Sequence, residues 1–260
     1  MSSERLSSKA EIDLASIALD YERFRELALN PNLSANQRIG FPDAYRSGYE
    51  NAILADISTK LTTFFAAQDG LVVDIGPGCA ALAKMTIDIC ADRRHRLILV
   101  DSGEMLKQLP DPSHVVKVEG PFPRNLVAVQ RAAGRPVSAV LCYSVLHYMY
   151  VDTNLFDVMD GIMELLAPGG QALIGDVPNH SKRRRFFASD SGVAFHQAFM
   201  NTDKAPPVDF NSPAPGRIDD AVISGLIQRC QAAGCDAYVV PQAFDLPMAN
   251  RRDDLLVRKP

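Results

Sequence analysis

The residues with the clearest chemical meaning form a glycine turn at positions 76–78. A run of aliphatic residues ends in Asp74, and Gly76-Pro77-Gly78 follows before a helical pattern begins. Glycine allows a ligand to approach the backbone closely, and the N-terminus of a helix offers free N–H groups and a partial positive charge. This spacing predicts a binding site for a small ligand where a buried strand ends.

Asp74 bears on the class of that ligand. Gly76, Gly78 and Ala81 fit the G-x-G-x-x-G/A pattern of dinucleotide-binding proteins. Asp101, which closes the next aliphatic run, fits the acid that such proteins place after the glycines. A carboxylate at position 74, however, repels a pyrophosphate and attracts an ammonium or sulfonium group. The residues favour a cationic ligand. A dinucleotide-dependent oxidoreductase is the alternative function. The structural interpretation is that these residues only shape the turn.

Two further residues are candidates for catalysis, because both follow predicted strands at the edge where ligands bind. His147 follows the fourth strand, and histidine titrates in the range that suits a general base for an alcohol or phenol acceptor. Asp176 follows the fifth strand and is suited to orient a base, hold a hydroxyl or bind a metal. Each also has a structural interpretation, His147 as a packing residue and Asp176 as a strand-terminal acid.

The elements that must position these residues alternate along the chain. Short aliphatic runs typical of strands covered on both faces lie at 71–74, 97–100, 115–118, 137–142 and 172–175. Helical patterns lie at 80–91, 103–109, 124–133, 153–166 and 218–233. Two closing strands at 238–241 and 255–257 have the short spacing of an antiparallel hairpin. The alternation predicts an α/β fold with a doubly wound, mostly parallel seven-stranded sheet.

Two segments fall outside this alternation. Residues 1–68 read as an N-terminal helical cover, with one helix at 11–29 ended by Asn30-Pro31 and a second marked by apolar residues from 45 to 65. Residues 178–217 read as an insertion or lid within a main domain at 69–260. The insertion carries a basic run at 182–185 and a proline-rich stretch.

Several polar residues near the predicted site are candidates for substrate binding. Guanidinium groups suit carboxylate and phosphate recognition, so arginines of the basic run and before the last strand predict an acidic acceptor. The basic run also has a structural interpretation as a solvated helix face. Arg46 and Glu50, four residues apart, can equally form an ordinary surface pair. The candidates are Arg46, Asn179, Arg183, His196 and Arg251.

Four segments in order resemble class I S-adenosylmethionine-dependent methyltransferases. They are 73–78 (VDIGPG), 99–101 (LVD), 137–148 (VSAVLCYSVLHY) and 165–174 (LLAPGGQALI). The resemblance implies a Rossmann-like methyltransferase fold, S-adenosylmethionine as cofactor and Asp101 as the ligand of the ribose hydroxyls. Ala80 stands where the family often has a third glycine, and Glu119 is the only acid near the position that contacts adenine. The donor-binding residues implied are Asp74, Gly76, Pro77, Gly78, Asp101, Ser102, Glu119, Gly120, Tyr143 and Ser144.

The acceptor is predicted only by a looser resemblance. Residues 30–33, 39–42, 45–46 and 181–187 resemble methyltransferases of bacterial surface-sugar pathways, which implies O-methylation of a sugar or sugar-acid derivative. A catalytically silent nucleoside-binding module of the same fold is a further alternative, because the sequence forces no catalytic residue.

Composition limits the remaining classes. The 260 residues carry a net charge of −4, which argues against a nucleic-acid partner. The chain shows no secretory signal and no membrane-spanning run, and its five cysteines include no CxxC pair. We therefore expect a cytoplasmic protein with a small-molecule acceptor, no membrane partner and no metal, and we allow for a homodimer.

Overall fold

The computed structural model describes residues 19–212 and 214–260, and within them a seven-stranded sheet forms the centre of the fold. The strands are β1 (Leu71–Ile75), β2 (Arg96–Asp101), β3 (Val115–Glu119), β4 (Val137–Tyr143), β5 (Leu166–Pro178), β6 (Asp236–Val240) and β7 (Arg252–Arg258). Their order is β3-β2-β1-β4-β5-β7-β6. Strands β1 to β5 pair in parallel, and β7 is antiparallel to both neighbours. The predicted mostly parallel sheet and its closing hairpin are confirmed.

Helices cover both faces of the sheet. In chain order they are α1 (Tyr21–Leu29), α2 (Ala35–Arg38), α3 (Glu50–Lys60), α4 (Thr62–Phe65), α5 (Ala81–Asp92), α6 (Gly103–Leu106), α7 (Leu126–Ala133), α8 (Leu146–Asp152), α9 (Leu155–Leu165), α10 (His180–Phe187), α11 (Asp190–Met200) and α12 (Asp220–Ala232). Short 3₁₀ turns lie at Asp43–Tyr45 and Ala249–Arg251. The helix predicted at 153–166 is shorter than expected, and α8 precedes it as a separate helix.

The central strands read as continuous aliphatic runs because both of their faces are buried. All five residues of β1 are buried. Val73 and Ile75 point into one apolar cluster and Val72 into the other, as the two-residue period of a strand requires. All five cysteines are buried and free. Across the described ranges no helix combines the length and apolar character needed to cross a membrane.

The N-terminal segment differs from its prediction. The apolar repeat from 45 to 65 does not form one helix, since Gly48 has a left-handed φ of 88° and α3 begins only at Glu50. Tyr49 is exposed and does not join the buried face. The first helix ends at Leu29, before Asn30-Pro31, as predicted. Residues 1–18, including the first part of the predicted helix at 11–29, lie outside the described residues.

A buried ion cluster joins α3 to the sheet. Asp254 on β7 is fully buried, and the ammonium group of Lys60 donates to its Oδ2 at 2.7 Å. Lys60 also donates to Asp56 of the same helix. Burial raises the pKa of Asp254, and Lys60 opposes that shift. The lysine thus compensates two carboxylates that the fold has removed from water.

Replacing Lys60 by methionine should destabilise the protein, because two buried carboxylates lose their cation. We expect Lys60→Met to lower the free energy of unfolding by about 3 kcal/mol, measured by urea denaturation at pH 7.5. The exposed Lys84 on α5 provides the matched control, and Lys84→Met should change stability by less than about 0.5 kcal/mol. Equal effects of the two substitutions would contradict this role for Lys60.

Candidate functional site

A cavity of about 340 Å³ lies at the carboxyl ends of the parallel strands. Its floor is the turn after β1, and its walls come from the ends of β2, β3 and β4. Residues of α1, the segment after α2 and the start of α3 close it from above. This is the edge at which doubly wound sheets bind their ligands. The volume is in the range of a small-molecule site.

The glycines of the turn are required by both conformation and space. Gly76 and Gly78 have φ values of +68° and +64°, a region that side chains rarely adopt. A Cβ on Gly78 would lie 2.5 Å from the side chain of Ile39, and a Cβ on Gly76 would lie 2.6 Å from that of Val145. Beyond the turn, α5 begins at Ala81 without a side-chain cap, so its first N–H groups remain available to a ligand.

Asp101 stands beside this turn at the end of β2. Its carboxylate accepts from the backbone N–H of Gly78 at 2.9 Å and of Ser102 at 2.6 Å. Burial raises the pKa of Asp101 to about 6, and these two hydrogen bonds oppose the shift. Because a carboxylate has about four acceptor positions, Asp101 can still accept from two ligand hydroxyls when it is ionised.

Asp74, predicted as a donor ligand, lies below the cavity surface. This residue is buried in β1 beneath the turn and is not among the residues that line the cavity. Burial, with a smaller contribution from Asp101, raises the pKa of Asp74 to about 8. At neutral pH the side chain is therefore an uncharged acid. A role for Asp74 in attracting a cationic ligand stays a prediction, and the raised pKa weakens the charge on which that role depends.

Two other predicted donor ligands also lie outside the cavity. Ser102 is buried, and its hydroxyl caps α6 by accepting from the backbone N–H of Met105. Glu119 is exposed, with its carboxyl group against Gly103. The wall beyond β3 is instead formed by Gly120 and the two residues that follow it. Of the predicted donor ligands, the cavity is lined by Gly76, Pro77, Gly78, Asp101, Gly120, Tyr143 and Ser144.

At the opposite end of the site, a buried polar cluster is centred on Asp176. Its Oδ2 accepts from the hydroxyl of Ser144 at 2.5 Å and from Arg252 at 2.9 Å. Arg46, which lines the cavity, donates to the Ser144 hydroxyl and lies 3.5 Å from the same carboxylate oxygen. With two arginines and a serine around it, Asp176 is oriented and paired, and is not a free general base.

His147 lies in the first turn of α8, next to this cluster. Burial lowers its pKa well below the ordinary value, and Arg252, Arg46 and Arg217 reinforce the shift. The imidazole is therefore neutral at neutral pH, and among the described residues its buried Nδ1 has no hydrogen-bond partner. His147 does not line the cavity, so its catalytic role stays a prediction.

Four of the predicted substrate-binding residues lie away from the cavity. The Asn179 amide donates to Asp220 at 2.7 Å and to Asp253 at 2.8 Å, so this side chain is committed to the fold. Arg183 and Arg251 pack over the ring of Phe187 at 4.9 and 5.7 Å. His196 lies on α11 next to the same ring.

The basic run as a whole does not form the expected patch at the pocket. Lys182 binds Asp253 at 2.8 Å, and Arg185 binds Asp220. Arg184 donates to the backbone carbonyl groups of two loop residues. Lys182 and Arg185 thus connect α10 to β7 and α12, and Arg184 connects it to the loop at 210–212.

Sequence reasoning missed the residues that close the cavity from above. Tyr21, Phe24, Ile39 and Phe41 line it from the N-terminal segment. Helix α1 is held there by an ion pair from Arg25 to α6 at 2.8 Å. The apolar pattern of these residues is too irregular to reveal a shared face, and only their tertiary contacts bring them together.

Comparison with known proteins supports the fold. The chain matches no protein-family model and no curated protein sequence. It is similar to the plantazolicin methyltransferase BamL in complex with a triazolic desmethylPZN analog and S-adenosylhomocysteine (11% identity, TM-score 0.56, covering 92% of this chain and 99% of that one). It is also similar to a Listeria monocytogenes protein assigned as an S-adenosylmethionine-dependent methyltransferase (17% identity, TM-score 0.53, covering 81% of this chain and 98% of that one).

A third similar structure is that of the N-methyltransferase NodS from Bradyrhizobium japonicum with S-adenosylhomocysteine (14% identity, TM-score 0.51, covering 92% of this chain and 98% of that one). The chain spans 59% of the length of a Nostoc punctiforme protein assigned as an O-methyltransferase, at a TM-score of 0.46. At these identities the similarity establishes the fold: the chain has the Rossmann-like architecture of S-adenosylmethionine-dependent methyltransferases.

The raised pKa of Asp74 makes the stability of the protein depend on pH. The unfolded chain releases the Asp74 proton near pH 4, whereas the folded protein retains it up to about pH 8. Between these two values the folded state binds more protons than the unfolded state, so stability falls as the pH rises. Asp74→Asn removes the effect. We expect it to raise the free energy of unfolding by on the order of 2 kcal/mol more at pH 8 than at pH 5.

Urea denaturation at the two pH values measures this difference. Asp88→Asn, on the exposed side of α5, is the matched control and should give the same small change at both. A stabilisation by Asp74→Asn that does not vary with pH would show that the carboxyl group is already ionised at pH 5.

Proposed function

We propose that this chain is an S-adenosylmethionine-dependent methyltransferase that methylates a small acceptor at oxygen. One observation carries the proposal. In the fold of such enzymes, the cavity combines a glycine turn, an uncapped helix N-terminus and a carboxylate with unused acceptor positions. Together these groups are suited to the hydroxyls and polar atoms of a nucleoside.

The residues that would hold the donor lie along the cavity in order. Asp101 would accept from the ribose hydroxyls, and the backbone after Gly120 would form the wall for adenine. Tyr143, Ser144 and Arg46 lie at the end assigned to the methionine portion, with Arg46 as the cation nearest to its carboxylate. When bound, S-adenosylmethionine supplies an electrophilic methyl group.

At that end the protein positions the acceptor. Much of the rate of such a displacement comes from holding the reacting atoms in line, and the fixed cluster of Asp176, Ser144 and Arg46 provides rigid groups for this purpose. His147 stays the candidate from the sequence to receive the acceptor proton, and its burial and the nearby arginines, which lower its pKa, oppose that proton uptake. Asp176 orients the neighbouring groups.

The N-terminal segment is proposed as the cover of the donor site, because its side chains close the cavity over the glycine turn. A dinucleotide-dependent oxidoreductase is not favoured. Proteins of that class commonly arrange six parallel strands in the order 3-2-1-4-5-6, whereas this sheet inserts an antiparallel β7 between β5 and β6.

The acceptor itself remains a proposal. An O-methylated sugar or sugar acid stays the prediction from the sequence, as does a homodimer. Arg183 is exposed and Arg251 is half-buried, and both lie over the ring of Phe187, outside the cavity. Acceptor-dependent release of S-adenosylhomocysteine from a panel of alcohols and phenols distinguishes an enzyme from a silent binding module.

Calorimetry with S-adenosylhomocysteine tests the donor site. We expect binding at pH 7.5 that weakens up to about tenfold by pH 5, because Asp101, whose pKa is raised to about 6, takes up a proton and loses acceptor positions. Asp101→Asn should weaken binding at pH 7.5 by about ten- to a hundredfold, the value of one or two charged hydrogen bonds, and should abolish the pH dependence.

The exposed Asp111 provides the control, since Asp111→Asn should leave both the affinity and its pH dependence unchanged. Failure of the intact protein to bind S-adenosylhomocysteine at any of these pH values would refute the proposed function. Binding that Asp101→Asn leaves intact would instead refute the role of this residue.

A further inference from the structure

Arg46 is held on several sides at the point where β4 ends. Its guanidinium carbon lies 4.2 Å from the centre of the Phe41 ring and 5.9 Å from the centre of the Tyr143 ring. The same group donates to the hydroxyl of Ser144. The residue is only 7% exposed, yet it lines the cavity. These contacts fix the guanidinium before a ligand arrives, which reduces the entropy lost on binding.

The protein leaves part of the hydrogen-bonding capacity and charge of Arg46 unused. Among the described residues its buried Nε has no hydrogen-bond partner, and a buried donor without a partner is costly. Arg46 and Arg252 also share a single carboxylate, that of Asp176. The ion cluster of α3 and β7, whose excess charge is negative, lies outside the cavity lining. An anionic ligand group at this end of the cavity would compensate the remaining positive charge.

The spacing of the strands relates Arg46 to Asp101. Strands β2 and β4 lie on either side of β1, and neighbouring strands are about 4.8 Å apart, so the ends of β2 and β4 are separated by about 10 Å. In extended S-adenosylhomocysteine the ribose hydroxyls and the amino-acid carboxylate are roughly 9 Å apart, as summed bond lengths give. A donor with its ribose at Asp101 would therefore bring its carboxylate to the end of β4, where Ser144 and Arg46 lie.

Arg252, on β7, acts on this arrangement from behind the cavity. Its Nη1 donates to the carboxylate of Asp176 at 2.9 Å and to the backbone carbonyl of Asp176 at 2.8 Å. The carboxylate in turn accepts from the hydroxyl of Ser144, and the oxygen of that hydroxyl accepts from Arg46. Arg252 does not line the cavity, so it influences a ligand there through Asp176 and not by contact.

The two arginines pair with Asp176 unequally. Arg252 lies 2.9 Å from Oδ2 of the carboxylate, whereas Arg46 lies 3.5 Å from the same oxygen. Because the attraction between charges falls with distance and is strong in a buried site, Arg252 is the closer compensation for Asp176. Without Arg252, Arg46 would be the remaining arginine beside this carboxylate. Its charge would then be drawn toward Asp176 and away from the cavity.

We propose that Arg252 is a positioning residue for the donor: it neutralises Asp176 and so leaves Arg46 available to bind the carboxylate of the donor's amino-acid portion. The identity of the ligand rests on the proposed methyltransferase function. The competing interpretation is that Arg252 only stabilises the fold. In that case its loss would affect every ligand of the cavity alike.

Calorimetry with two ligands tests the proposal. S-adenosylhomocysteine and 5′-methylthioadenosine share the nucleoside and the sulfur, but only the first carries the amino-acid portion. We expect the unaltered protein to bind S-adenosylhomocysteine about ten- to a hundredfold more tightly, the value of hydrogen bonds to a charged group. Arg252→Gln should reduce this ratio by about tenfold, the value of about one such bond. It should do so by weakening S-adenosylhomocysteine, with the affinity for 5′-methylthioadenosine unchanged.

Further variants separate positioning from stability. Arg252→Lys retains a cation that can donate to the carboxylate and the carbonyl of Asp176, so it should keep most of the ratio. In the background of Arg46→Gln, which removes the cation at the cavity, Arg252→Gln should change the ratio little, because residues that act through one another are not additive. Arg258→Gln, at an exposed position of the same strand, is the matched control and should leave both affinities unchanged.

Thermal unfolding shows whether Arg252→Gln folds. If it does not, a crystal structure of the unaltered protein with S-adenosylhomocysteine decides the question, and we expect the ligand carboxylate within hydrogen-bond distance of the Arg46 guanidinium while Arg252 stays paired with Asp176. A carboxylate bound elsewhere, equal affinities for the two ligands in the unaltered protein, or an unchanged ratio in folded Arg252→Gln would overturn the proposal. Failure of both ligands to bind would refute the proposed function instead.

Discussion

The carboxylate of Asp176 joins the parts of the chain on which the candidate site depends. It connects the end of β5 to the end of β4 through Ser144, to β7 through Arg252 and to the N-terminal segment through Arg46. The residue has a left-handed φ of 59°, a conformation that only surrounding contacts can maintain. Removing one member of such a buried cluster leaves the others uncompensated, so the cavity roof and the strand ends are coupled through this one side chain.

The reversed direction of β7 makes this coupling possible. An antiparallel strand beside β5 brings Arg252 and Asp254 next to the end of β5. Arg252 donates to the backbone carbonyl and the carboxylate of Asp176. Asp254 accepts from the backbone N–H of Asp176 at 2.7 Å. Asp254 is in turn neutralised by Lys60 of α3. Two buried ion clusters, one of Asp56, Lys60 and Asp254 and one of Arg46, Asp176 and Arg252, thus meet where Asp254 accepts from the backbone N–H of Asp176.

Local signals were enough to predict the sheet and the turn. Parallel strands buried on both faces must read as aliphatic runs, and the left-handed positions at 76 and 78 require glycine. The roof and the polar cluster have no local signal, because Arg46 meets Ser144 only through tertiary folding. The raised pKa of Asp74 has no local signal either, since it depends on how deeply the strand is buried and on a neighbouring carboxyl group.

The unequal strength of the roof contacts indicates how a ligand enters. Ile39 fills the space above Gly78, so a ligand that approaches the turn closely must displace it. The contacts of α1 are partly exposed, including the ion pair between Arg25 and Glu104, and exposed pairs contribute about 0–1 kcal/mol. The Arg46 contacts are buried and cost more to break. The roof should therefore open at α1 while Arg46 remains in place, so that the polar cluster around Asp176 stays formed when the cavity opens.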